Sequence, residues 1–291
     1  MTATTPPPAP TSRYLRCAGR EIHFLEWGAG HAETVVCWHG LARTGRDMDA
    51  LAARLATRWR VICPDTIGRG LSEWAGEPAR EYCLQNYVAI AVQLLDQLGV
   101  ERLRWLGTSM GGAIGLRAAA GPLRDRIRAL LLNDIGPQLA APALARIRGY
   151  AGAPPAFATM AELEAYFRAV YAPYGWLSDA QWRLLTETSV RRLPDGRVTP
   201  HYDPLMVTQF EAHPQDYDQW DAWDALRADL PVLVLRGETS DLLEADVADA
   251  MTRRGPRAAL RTVPGCGHAP ALNTDEQAGW VELFFGEATI S

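Results

Sequence analysis

Ser109 lies in Leu103-Arg104-Trp105-Leu106-Gly107-Thr108-Ser109-Met110-Gly111-Gly112, a G-x-S-x-G pattern placed between a strand-like apolar run and a helix-like one. Glycines flanking the serine suit a strand-to-helix turn so sharp that larger side chains there would collide. Such a turn holds the hydroxyl out at the carboxyl edge of a sheet. The helix that follows aims its N-terminal dipole at that hydroxyl and offers the Met110 N–H to an oxyanion. A hydroxyl of ordinary pKa is a poor nucleophile, so this chemistry also needs a base and a carboxylate to orient it. Among the six histidines, His268 in Pro264-Gly265-Cys266-Gly267-His268-Ala269-Pro270 is the one in a glycine-rich loop after the last strand-like run, where an imidazole can overhang the sheet edge. His23, His31, His201 and His213 have no such placing motif and read as surface or structural histidines.

The orienting carboxylate should fall between nucleophile and histidine in chain order. Asp241, in Leu235-Arg236-Gly237-Glu238-Thr239-Ser240-Asp241, follows one strand-like run, and Asp134, in Asn133-Asp134-Ile135-Gly136, follows the run before it. Both would reach the same edge. Asp241 is preferred, because its loop lies next to the histidine-bearing strand; Glu238 is a third choice that more naturally buttresses that loop. A second oxyanion donor is expected from the Leu41 N–H, in the His39-Gly40-Leu41 bend after another strand. His39 should shape that bend and border the substrate. Asp65, in a turn with Ser72, reads as loop-organising.

These groups need a scaffold, and the chain supplies alternating elements. Residues 20–28, 33–40, 60–65, 103–109, 127–136, 231–238 and 258–265 read as strands. Between them lie helix-like segments: 47–58 with Met48, Leu51 and Leu55 on one face, 86–98 opened by Asn86 and stopped by Gly99, and 111–121. Repeated alternation implies a mostly parallel sheet with helices on both faces. From about Pro137 to Trp223 the alternation stops. Thr159 to Glu162 and Ser178 to Gln181 are capping-box spacings that start helices there, and Leu193-Pro194-Asp195-Gly196-Arg197 is a turn between extended pieces. The expected organisation is a flexible tail at 1–12, a core at 13–137 and 225–291, and a mainly helical lid at 138–224.

Composition narrows the chemistry. The chain has 291 residues, and all 29 of its basic residues are Arg. Without lysine there is no Schiff base, no P-loop or kinase phosphate anchor and no Ser/Lys dyad. The net charge of −5 and the scattered arginines argue against a nucleic-acid partner. Five widely spaced cysteines form no C-x-x-C pair, and no metal-ligand spacing or nucleotide fingerprint appears, so neither a metal nor a cofactor is expected. No apolar run is long enough for a membrane helix. The amino terminus lacks the form of a signal peptide, which makes a reduced, cytoplasmic location the expectation. Oligomeric state has no signature in the sequence.

Strand-HG, D-x-x-G-x-G-x-S, G-x-S-M-G-G, R-G-E-x-S-D and G-C-G-H-A-P, in that order and on those elements, resemble the α/β-hydrolase family over roughly residues 20–137 and 225–286. The resemblance implies an α/β fold with a mostly parallel eight-stranded sheet. It also implies Ser109 as nucleophile, His268 as base and Asp241 as acid, with a lid inserted after the sixth strand. The lid region holds 13 of the 25 aromatic residues. Aromatics at helical spacing mostly pack helices together, but a minority, with Tyr171 and Trp176 named here, are expected to wall an apolar pocket. The resulting expectation is a serine hydrolase cleaving small-molecule carboxylic esters of apolar acyl or aryl groups through an acyl-enzyme. A carbon–carbon hydrolase, lactonase or cofactor-free perhydrolase would use the same triad. Leu41-Ala42-Arg43-Thr44-Gly45 after the HG departs from the HG-S-G-P expected of a meta-cleavage carbon–carbon hydrolase. A binding protein that has lost catalysis is the reading from another class, and an intact nucleophile, base and acid argue against it.

Overall fold

A computed structural model describes residues 9–287 of the chain, so most of the expected tail, residues 1–8, lies outside the described residues. Its last two positions, Thr11 and Ser12, already belong to a strand. The strands are β1 (Thr11–Cys17), β2 (Arg20–Trp27), β3 (Thr34–Trp38), β4 (Arg60–Pro64), β5 (Leu103–Thr108), β6 (Ile127–Asn133), β7 (Val190–Arg192), β8 (Val198–Pro200), β9 (Val232–Gly237) and β10 (Ala259–Val263). Eight of them form one sheet in the order β1-β2-β4-β3-β5-β6-β9-β10. Pairing is antiparallel where β2 meets β1 and β4, and parallel from β4 through to β10. β1 was not foreseen from the sequence. It is an edge strand with only its last residue buried, so it lacks the apolar run that marks an interior strand.

The middle of the sheet explains why its strands were legible. β3 and β5 are buried along their whole length, as strands covered by helices on both faces must be. Trp38 on β3 stacks on Trp105 of β5 with ring centroids 5.3 Å apart, and the Trp105 indole N–H donates to the Gly111 carbonyl at 3.0 Å. That stacking contributes roughly 0.5–1.5 kcal/mol beyond area burial, and it ties the centre of the sheet to the turn carrying Ser109. Met48, Leu51 and Leu55 are buried together against the other face. The helix Leu84–Gln97 starts two residues ahead of the expected cap. Its N-cap is Cys83, whose sulfur accepts the Asn86 N–H at 3.5 Å, while the Asn86 amide donates to the Glu81 carbonyl. Gly99, at φ +64°, ends that helix as expected.

Everything between β6 and β9 lies outside the large sheet. Helices Ala141–Ala151, Met160–Val170 and Asp179–Glu187 come first, followed by the β7–β8 hairpin and the short helices Gln209–Ala212 and Trp220–Ala225. Both capping boxes form, Thr159 with Glu162 and Ser178 with Gln181. Leu163, Phe167, Trp182 and Val198 pack into a small core of their own. This segment is fastened to the rest by Arg43 donating to Ser189 Oγ at 2.8 Å and by the Tyr82 hydroxyl donating to Asp203 at 2.6 Å. Among the described residues no helix is long and apolar enough to cross a membrane, and all five cysteines are buried free thiols.

Candidate active site

The turn at Ser109 has the strain that its glycines foretold. Ser109 sits at φ +52°, ψ −119°, a backbone state L-residues rarely adopt, between the last residue of β5 and the helix Met110–Ala120. A Cβ at position 107 would overlap the backbone of Gly111 and Gly112, and one at position 111 would overlap the carbonyls of Trp38 and His39. The second approach packs the start of the helix against the end of β3. Ser109 N–H donates to the Asn133 carbonyl at 3.0 Å, continuing the β5–β6 ladder into the turn. The hydroxyl therefore stands at a fixed height above the carboxyl ends of β3, β5 and β6.

His268, in the loop after β10, reaches over that edge. The Ser109 hydroxyl donates to His268 Nε2 at 2.9 Å, and His268 Nδ1–H donates to Asp134 Oδ2 at 2.7 Å. The carboxylate beside the histidine is thus Asp134, not Asp241. Asp134 follows β6 directly at φ +55°, a conformation aspartate tolerates better than most residues. It is fully buried and held by two further donors: the Gly237 N–H donates to Oδ1 at 2.7 Å and the Ser240 hydroxyl to Oδ2 at 2.6 Å. Asp241 points outward from the same loop and forms an exposed pair with Arg146, with N···O distances of 2.9 Å. The loop after β9 supplies hydrogen-bond donors to the carboxylate, and the carboxylate comes from the neighbouring strand. Glu238 accepts the Gly265 N–H at 2.9 Å, which buttresses the histidine loop.

Asn133 was not foreseen. Its amide donates to Thr108 Oγ1 at 3.0 Å and to the Pro270 carbonyl at 2.8 Å, joining the end of β5 to the loop that carries His268. An asparagine at the end of an apolar strand-like run, directly before an aspartate, was the available signal.

The oxyanion donors expected from the sequence are the amides of Leu41 and Met110. Met110 is the first residue of its helix and Leu41 stands in the bend after β3, bordering the same cavities as the serine. Among the described residues neither amide has a hydrogen-bond partner. His39, expected at the substrate, is instead sealed beneath this bend with no exposed surface. Its Nε2 accepts the Thr66 N–H at 2.9 Å, which places the proton on Nδ1, and that N–H donates to the Gly40 carbonyl at 2.6 Å. Burial pushes the imidazole down to about 4, so His39 is a neutral clamp between the loops after β3 and β4. Asp65 organises the second of those loops. It accepts the Gly45 and Leu71 N–H groups at 2.7 and 2.9 Å and His23 Nδ1–H at 2.7 Å. Burial alone would raise its carboxyl, but the His23 bond and the nearby imidazoles outweigh that and hold it below the usual carboxylate range.

His23 also meets Ser12 Oγ at 2.8 Å, so Ser12, His23 and Asp65 repeat the bonding order of Ser109, His268 and Asp134. The likeness stops at connectivity. Ser12 lies in a regular edge strand, without the strained turn that presents Ser109 at the head of a helix.

Two cavities meet at Ser109. One is apolar, walled by Met110, Ile135, Leu139, Leu144, Phe210 and Leu242. The other has Ser109 and His268 on its floor and is walled by Arg43, Arg146, Tyr150, Tyr171 and Tyr174. Tyr171 thus borders the cavity that holds Ser109 and His268. Trp176 does not: it is 72% exposed and borders neither cavity, and its carbonyl accepts from Asn273. Other aromatics of the segment, Phe167, Trp182 and Trp223 among them, are buried in its packing.

A strained serine at a strand–helix turn, a histidine loop over the sheet edge and this strand order define a hydrolase scaffold. The chain belongs to the alpha/beta hydrolase family, whose model matches residues 35–281. It is similar to a 3-hydroxybutyrate-oligomer hydrolase from Cupriavidus necator, with 39% identity over 291 residues covering 95% of this chain and 98% of that one. A 2-hydroxymuconate semialdehyde hydrolase from Pseudomonas putida is 25% identical over 95% of this chain and 94% of that one. Among solved structures, an alpha/beta hydrolase from Novosphingobium aromaticivorans superposes with a TM-score of 0.85 at 37% identity, covering 95% of this chain and 98% of the other.

Proposed function

We propose that this hydrolase is a serine esterase that cleaves carboxylic esters through an acyl-enzyme, with Ser109 as nucleophile, His268 as base and Asp134 as the acid that orients it. The observation that carries the proposal is the unbroken line of hydrogen bonds from Ser109 Oγ through His268 to Asp134, at 2.9 and 2.7 Å. Ser109 attacks the ester carbonyl as its proton passes to His268 Nε2, and buried Asp134 steadies the imidazolium that forms. The Leu41 and Met110 amides take the negative oxygen; removing a donor of this kind typically costs about 2.7–4 kcal/mol of transition-state stabilisation. His268 then protonates the departing alcohol, and water, activated by the same imidazole, releases the acid.

The apolar cavity suits a short acyl chain, and the helical segment between β6 and β9 acts as the lid that closes over it. The Cupriavidus necator relative supports oligoesters of a short hydroxyacid as the natural class of substrate. A panel of p-nitrophenyl esters of rising chain length, set beside a vinylogous diketone and a lactone, tests the reaction class. The short-chain esters should be turned over fastest, and Ser109→Ala should lose at least about 10⁴-fold in kcat. Preference for the diketone or the lactone, or full activity in Ser109→Ala, would contradict the proposal.

A further inference from the structure

We infer that Arg43 makes this site selective for esters whose alcohol part carries a free carboxylate, so that a hydroxyacid oligomer is cut from its carboxyl end. The inference rests on the ester-hydrolase reading above and names its substrate more closely.

Arg43 is 3% exposed and stands at the cavity shared by Ser109 and His268. Three of its donors are committed or directed: Nε and Nη2 hold Asp47 in a fork, at 2.7 and 2.5 Å, and Nη2 also reaches Ser189. Nη1 is buried and has no hydrogen-bond partner. A guanidinium that has left water retains an unmet donor at the cost of its solvation, and an anion of fork-like geometry is the partner it fits. The group is also held still. Its guanidinium carbon lies 4.7 Å from the Tyr171 ring centroid and 5.6 Å from that of Phe167.

The cavity around it is suited to an anion. Arg146, held from outside by Asp241, stands at the same wall, and among the described residues no Asp or Glu lines the cavity itself. The stems of Arg43 and Ser109 stand side by side. A point one Cβ length above Gly40 is 3.6 Å from Ser109 Cβ and 3.9 Å from Arg43 Cγ, so the two side chains flank one spot.

The two cavities also fix which half of the ester carries the charge. The departing alcohol must lie beside His268, which hands it a proton, and His268 borders the arginine-bearing cavity but not the apolar one. The acyl group then occupies the apolar cavity, and the alcohol with its carboxylate faces Arg43. In each cycle the bond from acyl carbon to ester oxygen breaks, the acyl group stays on Ser109, and the hydroxyacid leaves with its oxygen protonated by His268.

The test uses a linear trimer of 3-hydroxybutanoate carrying ¹³C in its carboxyl-terminal unit, as the free acid and as the methyl ester. The wild type should cleave the free acid 10- to 100-fold better in kcat/KM, the difference residing mainly in KM, and the first monomer released should be the labelled one. In Arg43→Gln the ratio of free acid to methyl ester should fall to within about 2-fold of unity, and Arg43→Lys should restore part of it. The comparison of the two substrates on the wild type stands even if Arg43→Gln fails to fold. Equal cleavage of acid and methyl ester by the wild type, or unlabelled monomer first, would overturn the inference while leaving the esterase reading intact if p-nitrophenyl esters are turned over. Failure on every ester would overturn both.

Discussion

Replacing Asp134 by asparagine changes one atom of a fully buried side chain, and the consequences follow from its partners. In the wild type Asp134 accepts three hydrogen bonds, from Gly237 N–H, the Ser240 hydroxyl and His268 Nδ1–H. An asparagine amide accepts on one side only. With its oxygen kept on the Gly237 N–H, its NH₂ faces His268 Nδ1, which must then give up its proton and carry it on Nε2. That tautomer can no longer accept from Ser109. The expected loss in kcat is about 10³–10⁴-fold, or about 4–5.5 kcal/mol of transition-state stabilisation. Asp241→Asn removes an ion pair whose side chains are 51% and 45% exposed. Its effect should stay within about 2-fold, since exposed pairs contribute little. Continuous p-nitrophenyl butyrate hydrolysis gives both rates, with far-ultraviolet circular dichroism to verify folding. A loss of 10³-fold in Asp241→Asn together with less than 10-fold in a folded Asp134→Asn would refute the reasoning.

Gly111→Ala should be destabilising by more than about 3 kcal/mol, because its Cβ meets the carbonyls of Trp38 and His39, which are backbone and cannot step aside. Gly149→Ala, in the helix Ala141–Ala151 with open space around the added methyl, should instead raise stability by about 0.5–1 kcal/mol, as urea unfolding would register. His39 is held neutral with its pKa pushed down to about 4, so its contribution to stability is complete above the unfolded value near 6.5 and is lost as pH falls from there toward 4. Between pH 7 and pH 4.5 the wild type should lose about 2–3 kcal/mol more unfolding free energy than His39→Gln, and parallel losses in the two would contradict the buried neutral imidazole.

The parts of this site that could be read in advance are those that carry a steric signature. Ser109 was legible because its turn admits only small residues at 107 and 111, and His268 because its glycine-rich loop follows the last parallel strand. The buried strands were legible because a sheet covered on both faces demands continuous apolar runs. The acid was not legible. β6 and β9 end at the same edge and each is followed within a few residues by an aspartate, so proximity in sequence could not separate them. What separates them is orientation: Asp134 turns inward at once with positive φ, whereas the loop after β9 turns Ser240 inward and leaves Asp241 to Arg146. His39 and Trp176 fall in the same class, since one loop folds over its histidine and another leaves its tryptophan in solvent. Arg43 gave no signal, because its importance lies in an unmet donor that only the packed structure reveals.

Covalent trapping with a fluorophosphonate, followed by peptide mass spectrometry, tests the central claim most directly. The account predicts one adduct, on Ser109, with activity lost in proportion and no labelling of Ser109→Ala. An adduct on Ser12 or another hydroxyl that tracks the loss of activity, or undiminished turnover by an enzyme labelled at Ser109, would contradict it.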